Sequence, residues 1–225
     1  FVQGECVITN ARTAEMCKLT ENSFRDVNIA FANELSIICD KLDINVWELI
    51  KLANRHPRVN ILQPGPGVGG HCIAVDPWFI VASAPDEARL ISTARQVNDH
   101  KPEWVIGKVK SAVAERQRQS ASAGKVAVAF LGLSFKADID DLRESPSVEI
   151  VRRLSDSELL DSYVVEPHIK QLPELLINIS KLCSLEEALE VASIVVILVD
   201  HKAFGQLANK LTIKHEVIDT RGIAS

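Results

Sequence analysis

The stretch VAVAFLGL at Val126–Leu133 decides the fold of the second half of this chain. It is a continuous apolar run of strand length that contains one glycine near its end, a pattern typical of a strand buried on both faces. Shorter apolar runs alternate with helical patterns after it: the runs are Tyr163–Val165, Ile194–Val199 and Val217–Ile218, and the helices are Val148–Leu154 and Leu185–Ala192. Strands that alternate with helices predict a parallel sheet joined by βαβ crossovers, so we expect an α/β unit here.

The residues ahead of this unit predict a helical domain. Residues 13–118 carry helical patterns interrupted by one Pro/Gly-rich loop, with Thr13 as the expected N-cap of the first helix and Asn45 as that of the second. The segment Gln117–Gly124 is small, polar and without periodicity, which is typical of a hinge. We therefore predict two domains, a helical domain over residues 1–118 and an α/β domain over residues 119–225.

Composition and charge exclude several classes of protein. The 225 residues carry 25 Lys and Arg against 30 Asp and Glu without a basic stripe, so we expect neither nucleic acid nor a membrane as a partner. The longest apolar run, Ile194–Val199, is too short to span a bilayer. Five widely spaced cysteines without a Cys-x-x-Cys pair fit a reducing compartment. We therefore predict a cytoplasmic protein with neither a disulfide framework nor a metal site.

The first helix carries two distinct stripes. At about 100° per residue, Lys18, Asn22 and Arg25 fall on one side, where they could present hydrogen-bond donors to an anionic or carbonyl-bearing ligand. The alternative is a solvated polar face, and helical geometry alone leaves both interpretations open. The second stripe is apolar and comprises Phe24, Val27, Phe31, Leu35 and Ile38. It is broader than one short partner helix requires.

Residues 55–77 form the most unusual stretch of the chain. Four prolines and four glycines exclude a helix or a central strand there, and the glycines let the backbone approach a ligand closely. Asp76 and Pro77 predict the N-cap and the first residue of the next helix. Cys72 lies just ahead of that helix, where a thiolate is stabilised and can act as a nucleophile. The alternative is a cysteine packed as a small hydrophobe, which is the role that we expect for Cys17, Cys39 and Cys183.

Three separated blocks of the chain resemble the UDP-glucose/GDP-mannose dehydrogenase family. They are residues 14–22 (AEMCKLTEN), residues 67–72 (GVGGHC), and residues 130–136 (FLGLSFK) followed by Arg143–Pro146 (RESP). The family implies an N-terminal Rossmann domain for NAD, a central helical domain that forms a homodimer, and a C-terminal Rossmann-like α/β domain that binds UDP. No Gly-x-Gly-x-x-Gly follows a strand in this sequence, so only the last two domains are matched. We expect NAD to bind mainly to an N-terminal domain that is absent from this chain.

The resemblance implies an oxidoreductase that converts the C6 alcohol of a UDP-hexose into a carboxylate by two hydride transfers to NAD. The segments HPRVN at residues 56–60 and QPGPG at residues 63–67 resemble most the members that oxidise UDP-N-acetyl-D-mannosamine to the uronate. Those members supply bacterial surface polysaccharide such as enterobacterial common antigen. UDP-glucose and UDP-N-acetylglucosamine remain alternative substrates, and a non-catalytic nucleotide-sugar-binding or dimerisation module remains an alternative function. This chain alone is expected to be inactive.

The family's catalytic residues carry over position by position. Cys72 would attack the intermediate aldehyde to give a thiohemiacetal, and oxidation would give a thioester that water hydrolyses. Lys18 and Asn22 would stabilise the oxyanion, and Lys18 could also act as an acid or a base. Asp76 would orient or deprotonate the water, serve as a helix cap, or do both. Members that oxidise UDP-glucose commonly carry a lysine just before this aspartate; Val75 stands there in this sequence, so that lysine's role does not carry over.

Binding residues also carry over by resemblance. Substrate contacts are implied for Lys18, Asn22, Arg25, His56, Arg58, the backbone of Gly69, Phe135 and Lys136. The cations in this set suit a diphosphate. Arg143 would face the cofactor, or else pair on the surface with Asp140 or Asp141.

Overall fold

The computed structural model describes residues 3–119, 124–157 and 159–224. Half of the predicted hinge Gln117–Gly124, residues 120–123, falls outside the described residues, and Gln117–Gln119 are the end of a helix. Within the described ranges, no helix combines the length and the apolar character that crossing a membrane requires.

The first part of the chain is helical, as predicted. Its helices are α1 (Ala11–Lys41), α2 (Val46–Ala53), α3 (Asp76–Ser83) and α4 (Arg89–Gln119). The Asn45 side chain caps α2 by accepting hydrogen bonds from the N–H groups of Trp47 and Glu48, which confirms the predicted N-cap.

The predicted N-cap of the first helix is wrong. The side chain of Asn10 accepts the N–H of Thr13 at 2.9 Å, so the N-cap is Asn10 and α1 begins three residues earlier than it would with Thr13 as the cap. An asparagine oxygen reaches the N–H three residues on as well as a threonine hydroxyl does, and no residue between Asn10 and Thr13 opposes the helix.

The second part is a parallel sheet with helices between its strands, which confirms the predicted fold class. The strands are β1 (Val126–Leu131), β2 (Leu160–Val165), β3 (Lys181–Leu182), β4 (Ile194–Ile197) and β5 (Glu216–Asp219), in the order β3-β2-β1-β4-β5. All the described pairings are parallel. The helices are α5 (Pro146–Ser155), α6 (Leu185–Val191) and α7 (Leu207–Lys210). Ser145 caps α5 with Pro146 as its first residue, as predicted, whereas two-residue β3 gave no pattern to detect.

Apolar side chains fill both faces of the sheet. One cluster includes Phe130, Ile150 and Val196, and the other includes Leu131 and Ile197. The second half of α4 belongs to the first cluster through Val105, Ile106, Val109, Ala112 and Val113. This helix therefore joins the helical part to the sheet, and the domain boundary between residues 118 and 119 stays a prediction.

The contact between α1 and α4 is polar instead. The buried polar residues of α1 include Asn22, Ser23, Asp26, Asn33 and Ser36. Of these, Asp26, Asn33 and Ser36 hydrogen-bond to Arg95, Asn98 and Lys101 of α4. The large apolar residues of α1 lie on other faces: Phe24, Phe31 and Ile38 are 69%, 52% and 46% exposed. An apolar stripe on α1 is thus left open to solvent in a single chain.

Candidate functional site

The Pro/Gly-rich loop between α2 and α3 is fixed at several points. Buried Asn33 of α1 accepts the N–H of Gly65 at 2.9 Å. The amide of Asn54 bonds both backbone groups of Ile61, at 2.9 Å and 2.7 Å. Arg221, which follows β5, lies against the carbonyl of Pro64 at 3.5 Å. The loop is therefore held in place by both parts of the molecule.

The glycines of this loop pack closely against the α/β part. A methyl group on Gly69 would lie 2.5 Å from the carbonyl oxygen of Glu144 and 3.0 Å from Cβ of Phe135. Gly70 has φ of +84°, and a methyl group there would lie 3.2 Å from the Phe135 ring. Only glycine fits these positions. The predicted substrate residues Gly69 and Phe135 are thus brought together by direct packing.

Cys72 is exposed at the end of this loop, which argues against the alternative of a packed cysteine. Its carbonyl accepts the N–H groups of Val75 and Asp76, at 3.2 Å and 2.8 Å, so a tight turn fixes it just before α3. Cys39 is buried, and burial raises the pKa of the half-buried Cys183 thiol. The packing role predicted for Cys17 is wrong, because the first two turns of α1 are exposed along their whole length and Cys17 is exposed with them.

Asp76 is not the N-cap that the sequence predicts. Val75 occupies that position, Asp76 is the first helical residue, and no side-chain cap is made. The carboxylate turns instead to α1, where it accepts the side-chain N–H of Asn22 at 2.5 Å. This bond joins two predicted catalytic residues that are 54 positions apart.

The predicted polar stripe of α1 divides into three different environments. Asn22 is 3% exposed because α3 covers it. Lys18 lies near the open end of α1, where its 64% exposed side chain pairs with Glu21 at 3.3 Å. Arg25 is exposed on the same helix. The structure therefore brings Asn22 to the Cys72 turn, and it leaves Lys18 and Arg25 at the surface.

The remaining predicted site residues are at the surface. His56 and Arg58 are exposed after α2, where the His56 ring accepts the N–H of Arg58 at 3.3 Å. Lys136 is exposed beside Phe135. Arg143 makes the surface pair that was its alternative interpretation, with bonds of 2.9 Å and 2.7 Å to Asp141. That guanidinium lowers the pKa of the Asp141 carboxyl to about 2.

Sequence reasoning missed a buried cluster at the carboxyl ends of the strands. Glu166 follows β2 directly, and its carboxylate contacts His201, which lies beyond β4. Hydrogen bonds from His201 and from the backbone N–H of Leu133 outweigh burial, and the pKa of Glu166 falls below its usual value. The available signal was positional, because polar residues that follow strands of a parallel sheet meet at one edge.

Three residues in and beside this cluster lie close enough together to be considered as metal ligands, although the sequence analysis predicts no metal site. Potential ligand atoms of Asp138, His168 and His201 lie within 4.8 Å of one another. However, Nδ1 of His201 accepts the N–H of Asp138 at 3.0 Å, and Nε2 contacts Glu166 at 3.0 Å. Since both ring nitrogens are engaged, a metal could bind His201 only by breaking one of these bonds.

The same cluster makes the described sheet a poor fit for NAD. In a dinucleotide-binding fold, the turn after the first strand presents backbone N–H groups to the pyrophosphate. Here the N–H groups of Leu133 and Ser134 donate to Glu166 at 2.7 Å and 3.2 Å. Gly132, which has φ of +90°, lies tightly against Val199. No open phosphate cradle is left at this turn.

Comparison with known proteins matches the helical part and the α/β part to two domains of one family, in the same order along the chain. Residues 12–100 match the central domain of the UDP-glucose/GDP-mannose dehydrogenase family, and residues 129–225 match its UDP-binding domain. A UDP-N-acetyl-D-mannosamine dehydrogenase of Escherichia coli is 60% identical over 99% of this chain and 53% of its own length. An NDP-N-acetyl-D-galactosaminuronic acid dehydrogenase of Ralstonia solanacearum is 62% identical over the whole chain and 51% of its own length.

Solved structures agree with these matches. The UDP-D-ManNAc dehydrogenase of Pyrococcus horikoshii superposes with a TM-score of 0.85 at 36% identity, over all of this chain and 52% of that one. The UDP-N-acetyl-mannosamine dehydrogenase of Staphylococcus aureus gives 0.80 at 42% identity, over all of this chain and 51% of that one. The chain thus spans about half the length of the relatives it matches. It belongs to the UDP-glucose/GDP-mannose dehydrogenase family, of which it carries the central and UDP-binding domains.

Proposed function

We propose that this chain is the central and UDP-binding part of a dehydrogenase that oxidises UDP-N-acetyl-D-mannosamine to its uronate, for bacterial surface polysaccharide. The observation that carries the proposal is the 2.5 Å bond between Asn22 and Asp76. It ties a buried amide of α1 to the helix that begins four residues after exposed Cys72. A nucleophilic thiol, an amide and a carboxylate are the groups that aldehyde oxidation through a covalent thioester requires.

The oxidant in this proposal is NAD, which accepts the two hydrides and binds mainly to a domain outside this chain. The thiolate of Cys72 adds to the aldehyde carbon, and the oxygen of the resulting thiohemiacetal receives hydrogen bonds from Lys18 and Asn22. Loss of hydride from that carbon gives a thioester, which water then hydrolyses to the carboxylate and free Cys72. Asp76 orients the water and, through its bond to Asn22, holds that amide in place.

Substrate binding in the proposal uses both parts of the chain. Arg25, His56 and Arg58 supply cations for the diphosphate, and the backbone of Gly69 contacts the sugar nucleotide. Phe135 and Lys136 bind the nucleotide end from the α/β part; the packing of Phe135 on Gly70 supports this, because it brings the two binding segments side by side. Arg143 leaves Asp141 to face the cofactor when the NAD domain is present.

The proposed enzyme is a cytoplasmic homodimer. A catalytic thiol must stay reduced, and the cytoplasm provides that environment. The exposed apolar stripe of α1 supports dimerisation, because a second copy of the same helix would cover Phe24, Phe31 and Ile38.

Titration calorimetry on the 225-residue chain tests the binding half of the proposal. We expect heat from UDP-N-acetylmannosamine on binding. We expect none from NAD⁺ at micromolar concentrations, because the domain that is proposed to bind NAD lies outside these 225 residues. Lys136→Ala should weaken UDP itself as well as the sugar conjugate. UDP-N-acetylgalactosamine is the matched comparison, since one relative is named for a galactosaminuronic acid. No heat from any UDP-sugar at millimolar levels would contradict the nucleotide site.

Alkylation of Cys72 tests the catalytic half. A bound UDP-sugar should slow the modification of Cys72 and leave the modification of Cys17, which is also exposed, unchanged. In a protein that also contains the NAD domain, Cys72→Ser and Cys72→Ala should abolish formation of the sugar acid. Acid formation by Cys72→Ala at the wild-type rate would refute the covalent mechanism, whereas no acid formation by the wild-type protein would leave a binding module.

A further inference from the structure

The buried pair Glu166–His201 is not used by the proposed chemistry, although it lies where α/β proteins bind ligands. Both side chains are fully buried. They lie at the carboxyl edge of the sheet, where β2 and β4 end. Burial of a carboxylate is costly unless hydrogen bonds compensate it, so the contacts of this pair indicate what it does.

Glu166 accepts four hydrogen bonds with its two oxygens. One oxygen accepts the N–H groups of Leu133 and Ser134, at 2.7 Å and 3.2 Å, and contacts Nε2 of His201 at 3.0 Å. The other accepts the N–H of His168 at 3.1 Å. The carboxylate thus fills the position of an anionic ligand at the turn after β1, and it fixes the backbone of that turn.

His201 extends the same network to the far side of the next loop. Its Nδ1 accepts the N–H of Asp138 at 3.0 Å, so the ring carries its proton on Nε2 and donates it to Glu166. Asp138 has φ of +61° and accepts the N–H of Lys202 at 2.9 Å. A neutral ring therefore bridges a buried carboxylate and the backbone of Asp138.

Between these two anchors lie Phe135 and Lys136. Ser134 is bound by Glu166 on one side, and Asp138 is bound by His201 on the other. The Ser134 hydroxyl also donates to the carbonyl of Lys136 at 2.7 Å. Attachment at Ser134 and at Asp138 fixes the backbone of the segment, whereas the side chain of Lys136 is exposed.

We propose that Glu166 and His201 are positioning residues that set the segment 134–138 against the Gly67–Cys72 loop, so that Lys136 meets the nucleotide end of the substrate. The role of Lys136 rests on the proposed function; the anchoring of the segment does not. In this arrangement the carboxylate of Glu166 occupies the position at the turn after β1 where dinucleotide-binding folds hold a phosphate. The segment 134–138 then lies at the edge of the sheet where those folds bind their cofactor.

Limited trypsin digestion of the 225-residue chain tests the anchoring. Cleavage after Lys136 should be slow in the wild-type chain and at least tenfold faster in His201→Phe, which keeps a ring of similar size and removes both bonds. The matched control is Leu176→Ala, which removes buried apolar volume from the same sheet core and keeps every hydrogen bond of Glu166 and His201. Equal cleavage after Lys136 in wild type and His201→Phe, or in the control and His201→Phe, would overturn the inference.

Glu166→Gln and Glu166→Met separate positioning from general packing. The glutamine oxygen can still accept from Leu133, Ser134 and His201, and the amide nitrogen gives up only the bond from the N–H of His168, which lies outside the segment. Cleavage after Lys136 should therefore stay within about threefold of wild type. Methionine has a similar size but only a weak acceptor, so cleavage should rise at least tenfold. Equal cleavage of the two variants would overturn the assignment of Glu166.

Titration of each variant with UDP links the anchoring to binding. His201→Phe should lower UDP affinity at least tenfold, as Lys136→Ala does, whereas Leu176→Ala should retain wild-type affinity. If wild type binds no UDP, the proposed function loses its nucleotide site, while the trypsin result still decides the anchoring. Unchanged UDP affinity in a His201→Phe chain with a released segment would overturn the link to substrate binding.

Discussion

The two parts of this molecule bury opposite kinds of side chain. The sheet places apolar residues on both faces, with Phe130, Ile150 and Val196 inaccessible to solvent. The contact between α1 and α4 buries Asp26 and Arg95 instead. Within the described residues, Oδ2 of Asp26 and Nε of Arg95 have no hydrogen-bond partner. The sheet is therefore stabilised by a large apolar core, whereas the contact between α1 and α4 combines buried polar groups with small apolar residues such as Ala30, Ala32 and Ala94.

The polar contact between α1 and α4 gives the exposed apolar residues of α1 a role in stability. Phe24, Phe31 and Ile38 would contribute most if a second chain covered them, because their burial would add the hydrophobic stabilisation that the α1–α4 contact lacks. The polar contact, for its part, fixes the rotation and register of α1 on α4, since each hydrogen bond has one matching partner. That register is what directs Asn22 toward the Cys72 turn.

The largest effect is expected from Phe130→Ala in the sheet core. Removal of this fully buried ring leaves a cavity in a cluster that includes residues of α4 and α5. The free energy of unfolding should fall by about 4 kcal/mol, measured by urea unfolding with far-UV circular dichroism. Ile213→Ser, at a fully exposed apolar residue, is the control and should change it by less than about 0.5 kcal/mol. Similar small losses in both variants would contradict the picture of a core-stabilised sheet.

Asp26→Ala should be the next most damaging change. It removes the buried partner of Arg95, whose remaining ion pair is with the half-exposed Asp99. An unpaired buried charge should lower the free energy of unfolding by about 3 kcal/mol. The double variant Asp26→Leu/Arg95→Met should recover more than half of that loss, because no charge is left unpaired. A double variant that is less stable than Asp26→Ala would show that the ion pair itself is strongly stabilising.

Lys101→Met should stabilise the chain and flatten its pH dependence. Burial lowers the pKa of Lys101 from 10.5 to about 7, although Asp40 opposes the shift. Between those two values the unfolded chain binds a proton that the folded chain does not, so wild-type stability should rise with pH from about 7 to 10.5 and stay level below.

The variant should lack this rise and exceed wild type by about 2 kcal/mol at pH 7. The gain is reduced by the lost bond to Ser36 and the lost contact with the Trp104 ring, 3.9 Å from the ammonium. Unfolding by urea at several pH values measures both quantities. An identical pH profile for variant and wild type would contradict the assignment to Lys101.

Phe31→Ser should have the smallest effect on a single chain and a clear effect on assembly. The side chain is 52% exposed, so the folded monomer should lose less than about 0.5 kcal/mol. Sedimentation at tens of micromolar should show the wild type as a dimer and the variant with at least tenfold weaker association. Ile213→Ser is again the control and should remain dimeric. A wild-type monomer of 24.8 kDa would remove the dimer prediction.

Local patterns in the sequence determined the elements and the fold class. The run at Val126–Leu133 predicted a buried strand, and Ser145-Pro146 predicted the start of α5; both are observed. The glycines and prolines of residues 55–77 predicted an irregular loop, and the structure has only turns and bends there up to α3. These predictions succeed because strand, cap and loop preferences are set by side chains within a few residues of one another.

Tertiary structure alone decided which residues meet. A helical wheel places Lys18, Asn22 and Arg25 together, but only the packing of α3 on α1 buries Asn22 and leaves the other two exposed. The same holds for Glu166 and His201, which are 35 positions apart and meet because β2 and β4 flank β1 in a parallel sheet. A local pattern can place each such residue at the end of its strand or on a face of its helix, but the partner depends on strand order and helix rotation, which are properties of the whole chain.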